Sequence, residues 1–278
     1  MSNGRVRRWR KVLYLDQGHP DNFTPQSVFL SGRTFNKNLV AYSLFQCLEG
    51  GAEVALHISL VIIFWCCYTF IKAKDILPTT LILSLVCVSV AVYVFIIINV
   101  NTTFRDIIKA VKTSFLFLIT GYSLSPVLYT LTDTISTDSI HSMAASSFLL
   151  HLLTADYGVP APVVSWQISL NAAMLSSVCL ASRFDDHVSA FSLLCLSIFC
   201  FLLVPVSRDH LLQSSILTNS IISSLCIILL SYISTTTTLL TLITLTTVQF
   251  LCPFLFYKLQ SDKQTIHGPW DEATPDNL

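Results

Sequence analysis

Ala52-Glu-Val-Ala-Leu-His-Ile-Ser-Leu-Val-Ile-Ile-Phe-Trp-Cys-Cys-Tyr-Thr-Phe-Ile71 carries one carboxylate, at its second position, and is otherwise nearly all apolar. A run of about 20 such residues crosses a hydrocarbon core roughly 30 Å thick. Stretches of the same kind recur as far as Tyr257, separated by short polar knots. Eight candidate spans result, at about 53–71, 77–98, 114–131, 139–153, 163–181, 188–206, 216–234 and 238–257. The fourth is the weakest, being short and rich in serine and alanine. The fold class expected is all-α: a polytopic integral membrane protein of about eight transmembrane helices.

The bulk composition agrees. Hydrophobic residues make up 53% of the 278 and charged ones 12%, with a mean hydropathy of +0.67. An ordinary soluble domain does not look like this. Sixteen basic and sixteen acidic residues cancel in number but not in place, since few lie inside the apolar runs. Three regions follow: an N-terminal arm over 1–51, a transmembrane domain over 52–257, and a C-terminal tail over 258–278. Met1 to Lys11 is basic, with neither an apolar h-region nor a small-residue cleavage site after it. The first span is therefore expected to act as its own targeting signal.

Lysine and arginine set the orientation. With eight spans, both termini and the even-numbered connections share one side. That side holds Arg5, Arg7, Arg8, Arg10, Lys11, Arg33, Lys37, Arg105, Lys109, Lys112, Arg208, Lys258 and Lys263, thirteen in number, against Lys72, Lys74 and Arg183 opposite. Both termini are expected to be cytosolic.

Arg105, Lys109 and Lys112 fall at i, i+4 and i+7, one stripe of a helix, with Ile107, Ile108 and Val111 away from it. Such a segment can rest among headgroups and attract anionic lipid. The plainer reading is a positive-inside flank. Nine cysteines lie in or beside the apolar runs, with no CxxC pair and no zinc spacing, so they read as packing residues. Threonine is dense at Thr235–Thr238, Thr241, Thr244, Thr246 and Thr247, a candidate face for helix packing.

Polar chemistry concentrates in few places. Asp133, Ser136, Thr137 and Asp138 lie between the third and fourth spans, where the two carboxylates could act as a pair. Residues of this type before an apolar run also serve to cap a helix, and Asp138 is read chiefly so. Asp185 and Asp186 read as a helix-start flank. His57 and His151 fall within spans and are functional suspects by position, though a hydrogen bond across helices would also explain them. Asp156 and Tyr157 end the fourth span near the cytosolic boundary, where a carboxylate could meet a headgroup or a partner. No nucleotide cradle, GxSxG or HExxH appears, and no metal or cofactor is expected.

Several strings together resemble the PIG-C family, which are subunits of phosphatidylinositol N-acetylglucosaminyltransferase. They are Trp9-Arg-Lys-Val-Leu-Tyr14, Pro20-Asp-Asn-Phe23, Gly121-Tyr-Ser-Leu-Ser-Pro-Val-Leu128, Leu131-Thr-Asp-Thr-Ile-Ser-Thr-Asp138, Asp156-Tyr-Gly158, Ser169-Leu-Asn171, Ser177-Val-Cys-Leu-Ala-Ser-Arg183 and Ile266-His-Gly-Pro-Trp-Asp-Glu-Ala273. The resemblance implies an endoplasmic reticulum membrane subunit of the complex that begins GPI-anchor synthesis. It implies that catalysis belongs to another subunit, that catalytic and accessory subunits are partners, and that phosphatidylinositol is the lipid acted on. Trp9, Lys11, Tyr14, Pro20, Asp21, Asn22, Trp270, Asp271 and Glu272 are then candidates for docking. The alternatives are an integral-membrane transferase using Asp133, Asp138 and Asp156, or a lipid or solute transporter.

Overall fold

The structure, a computed structural model, describes residues 41–99, 134–157, 165–211, 215–264 and 266–267, together with 18, 34–36, 112, 116 and 119–123. It contains two compact units. One comprises Met1–Tyr42 with Tyr257–Leu278, the other Ser43–Phe256. In the first, β1 (Thr34–Phe35) pairs antiparallel with β2 (Ile266–His267), Thr34 lying opposite His267. In the same unit, the Tyr42 amide donates to Gln260 Oε1 and Gln260 Nε2 donates back to the Tyr42 carbonyl, each at 2.9 Å.

The second unit is a bundle of helices. α1 (Leu44–Ala73) begins at a capping box: the Gln46 amide donates to Ser43 Oγ at 3.3 Å, and the Ser43 amide to Gln46 Oε1 at 2.9 Å. It ends at Lys74, whose φ of 64° closes the helix in the left-handed region. The apolar pattern located its buried part near 53, but the cap fixes the start earlier, because hydropathy reports burial and not hydrogen bonding. At about 1.5 Å per residue, 30 residues extend about 45 Å, longer than a bilayer core.

α2 (Pro78–Asn99) opens on a proline, which suits a first helical position that lacks a partner for its N–H. α3 (Thr137–Thr154) and α4 (Trp166–Ala181) are capped by Ser136 and Ser165. α5 (His187–Ile198) passes through a π-helical turn, Phe199–Leu203, into α6 (Val204–Leu211). α7 (Ser215–Ser231) follows. α8 (Thr235–Thr246) passes through a second π turn, Thr247–Leu251, into α9 (Cys252–Leu259). Both π turns stop two residues short of a proline, Pro205 and Pro253. A proline has no N–H and its ring strikes the carbonyl four residues back; widening the preceding turn relieves that clash and lets the helix continue.

By length and composition, three helices among the described residues can cross a membrane: Leu44–Ala73, His187–Ser207 and Thr235–Asp262. Pro78–Val94, Trp166–Ala181 and Ile216–Ser231 are shorter apolar helices. The expected short fourth span is helical but does not reach that apolarity.

Side-chain register gives the directions. His57 meets His151 while Tyr68 meets His141, so α1 and α3 run antiparallel. Ser169 meets His151 while Ser176 meets Ala144, so α3 and α4 do too. A triangle of Phe64, Phe148 and Phe201, with centroids 5.5–5.7 Å apart, fills the centre. Between helices in lipid, such contacts stabilise through dispersion and close packing.

The α8–α9 helix is different. Of its side chains only Leu245, Gln249 and Pro253 are buried, four apart, leaving a wide apolar outer surface. Of its threonines, Thr238, Thr241 and Thr247 are half-buried, the first two on the Leu245 side, whereas Thr244 and Thr246 are exposed, so the expected packing face forms only in part. Thr237 and Thr238 bond the Ser234 carbonyl, Thr244 that of Leu240, and Thr246 those of Leu242 and Ile243. Those hydroxyls are satisfied within their own helix.

Candidate functional site

Among the described residues, the sequence candidates lie at separate places, save that Ser136, Thr137 and Asp138 are consecutive and Asp156 and Tyr157 adjacent. Ser136 caps α3, accepting from the Ser139 amide at 3.3 Å; Thr137 is the first helical residue. Asp138, expected as a cap, sits instead in the exposed first turn, where a carboxylate complements the helix dipole. Asp156 lies beyond the opposite end of this 18-residue helix, about 27 Å away by helical rise, so Asp138 and Asp156 do not form a pair. Lys112 is helical and exposed. Arg105, Lys109, Asp133, Trp9, Lys11, Tyr14, Pro20, Asp21, Asn22, Trp270, Asp271 and Glu272 lie outside the described residues. Asp186 caps α5, accepting from the Ser189 amide at 3.1 Å, as a helix-start flank should. All nine cysteines are free thiols.

What the fold does bring together is His57, His151, Tyr157 and Asp156. His57 projects from α1 and His151 from α3, one turn before that helix ends; they are 5% and 2% exposed. Their ring centroids lie 5.5 Å apart. Tyr157 meets His57 edge-on at 5.3 Å, and Phe201 meets His151 at 5.2 Å.

His151 is held by α4. Its Nδ1 lies 2.8 Å from Ser169 Oγ and 3.1 Å from the Ser169 carbonyl. A carbonyl only accepts, so Nδ1 carries the hydrogen and Nε2 keeps a free lone pair. Ser169 Oγ in turn donates to the His151 carbonyl at 3.3 Å. Tyr157 donates its phenol to the Leu152 carbonyl at 2.5 Å, satisfying one of the acceptors left open where α3 ends. Burial raises the phenol above its ordinary pKa, which keeps that donor protonated. Asp156 is exposed beside them and near enough to act electrostatically on His57.

Two atoms of this knot are buried with no hydrogen-bond partner: His57 Nδ1 and His151 Nε2. Leaving a buried polar atom unmatched costs about 1–3 kcal/mol. Among the described residues no three metal-ligating side chains cluster. The two histidines were visible in the sequence as polar residues within spans. Ser169 and Phe201 were not, because nothing in the spacing says which helices are neighbours.

Two further polar groupings flank the knot. Toward the other end of the α1–α3 pair, Tyr68 Oη lies 3.3 Å from His141 Nε2 and accepts from Lys72 Nζ at 3.3 Å. On α7, Asn219 is wholly buried with neither amide atom paired, next to Ser220, which takes a 2.8 Å bond from Gln249, and near Ser223, whose Oγ is 3.1 Å from that of Ser59.

Residues 9–271 match the family model GPI2, described as phosphatidylinositol N-acetylglucosaminyltransferase. The chain belongs to the GPI2 family. Among relatives, a Bos taurus protein named as the C-type subunit of phosphatidylinositol N-acetylglucosaminyltransferase is 32% identical, covering 98% of this chain and 95% of its own. The Homo sapiens protein of that name is 30% identical over the same shares. The Schizosaccharomyces pombe GPI2 subunit is 31% identical over 96% of this chain and 86% of its own. No solved structure matches the chain. The GPI2 match takes in every helix described above.

Proposed function

We propose that this chain is a non-catalytic membrane subunit of the complex that moves N-acetylglucosamine from UDP-N-acetylglucosamine to phosphatidylinositol, the first step of GPI-anchor biosynthesis, in the endoplasmic reticulum membrane. The observation that carries this is the match along nearly the whole chain to proteins named as subunits of that transferase. The bundle supports the non-catalytic part. Among the described residues the carboxylates Asp138 and Asp156 stand a full helix apart, so those two do not act as an acid–base pair.

The chain is read as crossing eight times with both termini cytosolic, the third span lying in 114–131. Helix directions favour it. Gly51 packs against the Val248–Pro253 stretch, whose Gln249 bonds Ser220, while Ser59 meets Ser223. α7 therefore runs parallel to α1, as a seventh span should to a first. The basic arm and Arg105, Lys109 and Lys112 would draw phosphatidylinositol toward the complex by charge. Trp9, Lys11, Tyr14, Pro20, Asp21, Asn22, Trp270, Asp271 and Glu272 would dock catalytic and accessory subunits.

The test is purification in mild detergent with sugar transfer assayed at each stage. A chain bearing a transferase domain should co-purify, and activity should follow the complex. Turnover by this chain alone would overturn the reading. Within the active complex, reversing Arg105, Lys109 and Lys112 to glutamate should lower transfer without loss of co-purification; unchanged transfer removes their lipid role.

A further inference from the structure

We propose that the His57–His151–Tyr157 knot receives the inositol ring of an inositol phospholipid, so that this subunit presents the acceptor. The inference rests on the complex proposed above. Depth is the first argument. His151 stands one turn from the end of α3, and its partner Ser169 stands near the start of α4, about 5 Å inside the bundle. Trp166, exposed at the first position of α4, is the residue type that settles at the headgroup level. The distribution of lysine and arginine makes this end cytosolic, where the basic residues gather.

Chemistry is the second. A neutral imidazole accepts at one nitrogen and donates at the other, and a ring hydroxyl does both at a single oxygen. His57 Nδ1 and His151 Nε2 are nine-tenths or more buried, unpartnered, and set in rings 5.5 Å apart. His151 is already fixed by Ser169, so its free nitrogen is oriented before any ligand arrives. Asp156 is exposed beside Tyr157. A carboxylate accepts hydrogen bonds from neighbouring hydroxyls and repels a phosphate, so the knot suits the polyol and not the phosphodiester. Tyr157 and Phe201 supply aromatic surface for the ring's C–H faces. Tyr157 closes the knot through its bond to the Leu152 carbonyl, and a ligand hydroxyl can take over that acceptor as the phenol moves aside.

The test uses the intact complex in nanodiscs with a photoreactive phosphatidylinositol and, as control, a photoreactive phosphatidylserine with the same acyl chains. Labelling should map to the 150–157 peptide with the inositol probe, exceeding the serine probe about tenfold, a factor one or two good hydrogen bonds supply. Competition by free myo-inositol assigns recognition to the ring alone; competition by lipid only assigns it to the ring held at the bilayer. His57→Ala should raise the KM for phosphatidylinositol and not that for UDP-N-acetylglucosamine, with co-purification intact. If that variant fails to assemble, Asp156→Asn, at an exposed position, replaces it with the same expectation. Equal labelling by both probes, or variants that leave labelling and the lipid KM unchanged, would overturn the proposal, the knot then holding water only. A wild-type chain that fails to join any complex would instead sink the transferase-complex reading.

Discussion

Gly50 and Gly51 are neighbours on α1 and have opposite reasons for being there. A Cβ at Gly51 would overlap Pro253 Cγ and stand 2.8 Å from the Val248 carbonyl oxygen and 3.3 Å from that of Gln249. Two of these are backbone atoms in a π turn and the third belongs to a rigid ring, so none yields cheaply. A Cβ at Gly50 would meet nothing within 4 Å. Gly51→Ala should therefore lower stability by about 1–3 kcal/mol, the usual cost of forcing volume into a packed contact. Gly50→Ala should be neutral or gain up to about 1 kcal/mol, because a helix interior favours alanine. Melting of the detergent-solubilised protein distinguishes them; equal melting temperatures would mean that α1 and the second π turn do not touch as described.

Among the helices, the ends and the polar stripes separate hydroxyls that matter from hydroxyls that do not. Asp186 accepts from the Ser189 amide and from its hydroxyl at 3.2 Å, holding the first turn of α5. Asp186→Ala should cost about 0.5–2 kcal/mol. Thr244→Val and Thr246→Val remove only bonds to their own helix on an outer surface, and each should stay within about 0.5 kcal/mol. A large loss at either threonine, seen by thermal melting, would show that the face is covered by something after all. The same contrast explains how far the sequence could be read. Apolar length and local caps are short-range signals, and they placed the described helices to within a turn or two, save at the start of α1. The two π turns needed the knowledge that Pro205 and Pro253 sit inside continuing helices, not at their ends. His57 and His151 announced themselves as polar residues among apolar ones. Their pairing, and the part played by Ser169, depends on α1, α3 and α4 meeting, which no local pattern encodes.

The arrangement of helices and the placement of charge constrain the topology together. α1 and α3 run antiparallel and α1 and α7 parallel. α3 is the fourth predicted span and α7 the seventh, so their directions agree with strict alternation only if the run at 114–131 also crosses. Omit that crossing and α3 would point the same way as α1. α1 carries Lys72 in its last turn, followed by Lys74 and Asp75, and Glu49 toward its start, which brackets an apolar stretch of adequate length between polar ends. The connection at Lys74–Asp75 should accordingly be lumenal, and that at Asn101 cytosolic. A glycosylation acceptor on a flexible linker inserted after Lys74 should acquire a glycan in microsomes, whereas one inserted beside Asn101 should not, and Asn101-Thr-Thr103 itself should stay bare. The reverse pattern would invert the map and place the histidine knot on the lumenal side, away from the basic residues that gather the lipid. Glycans at both insertions would instead mean that α2 does not cross, and the alternation on which the eight-span reading depends would fail at its second step.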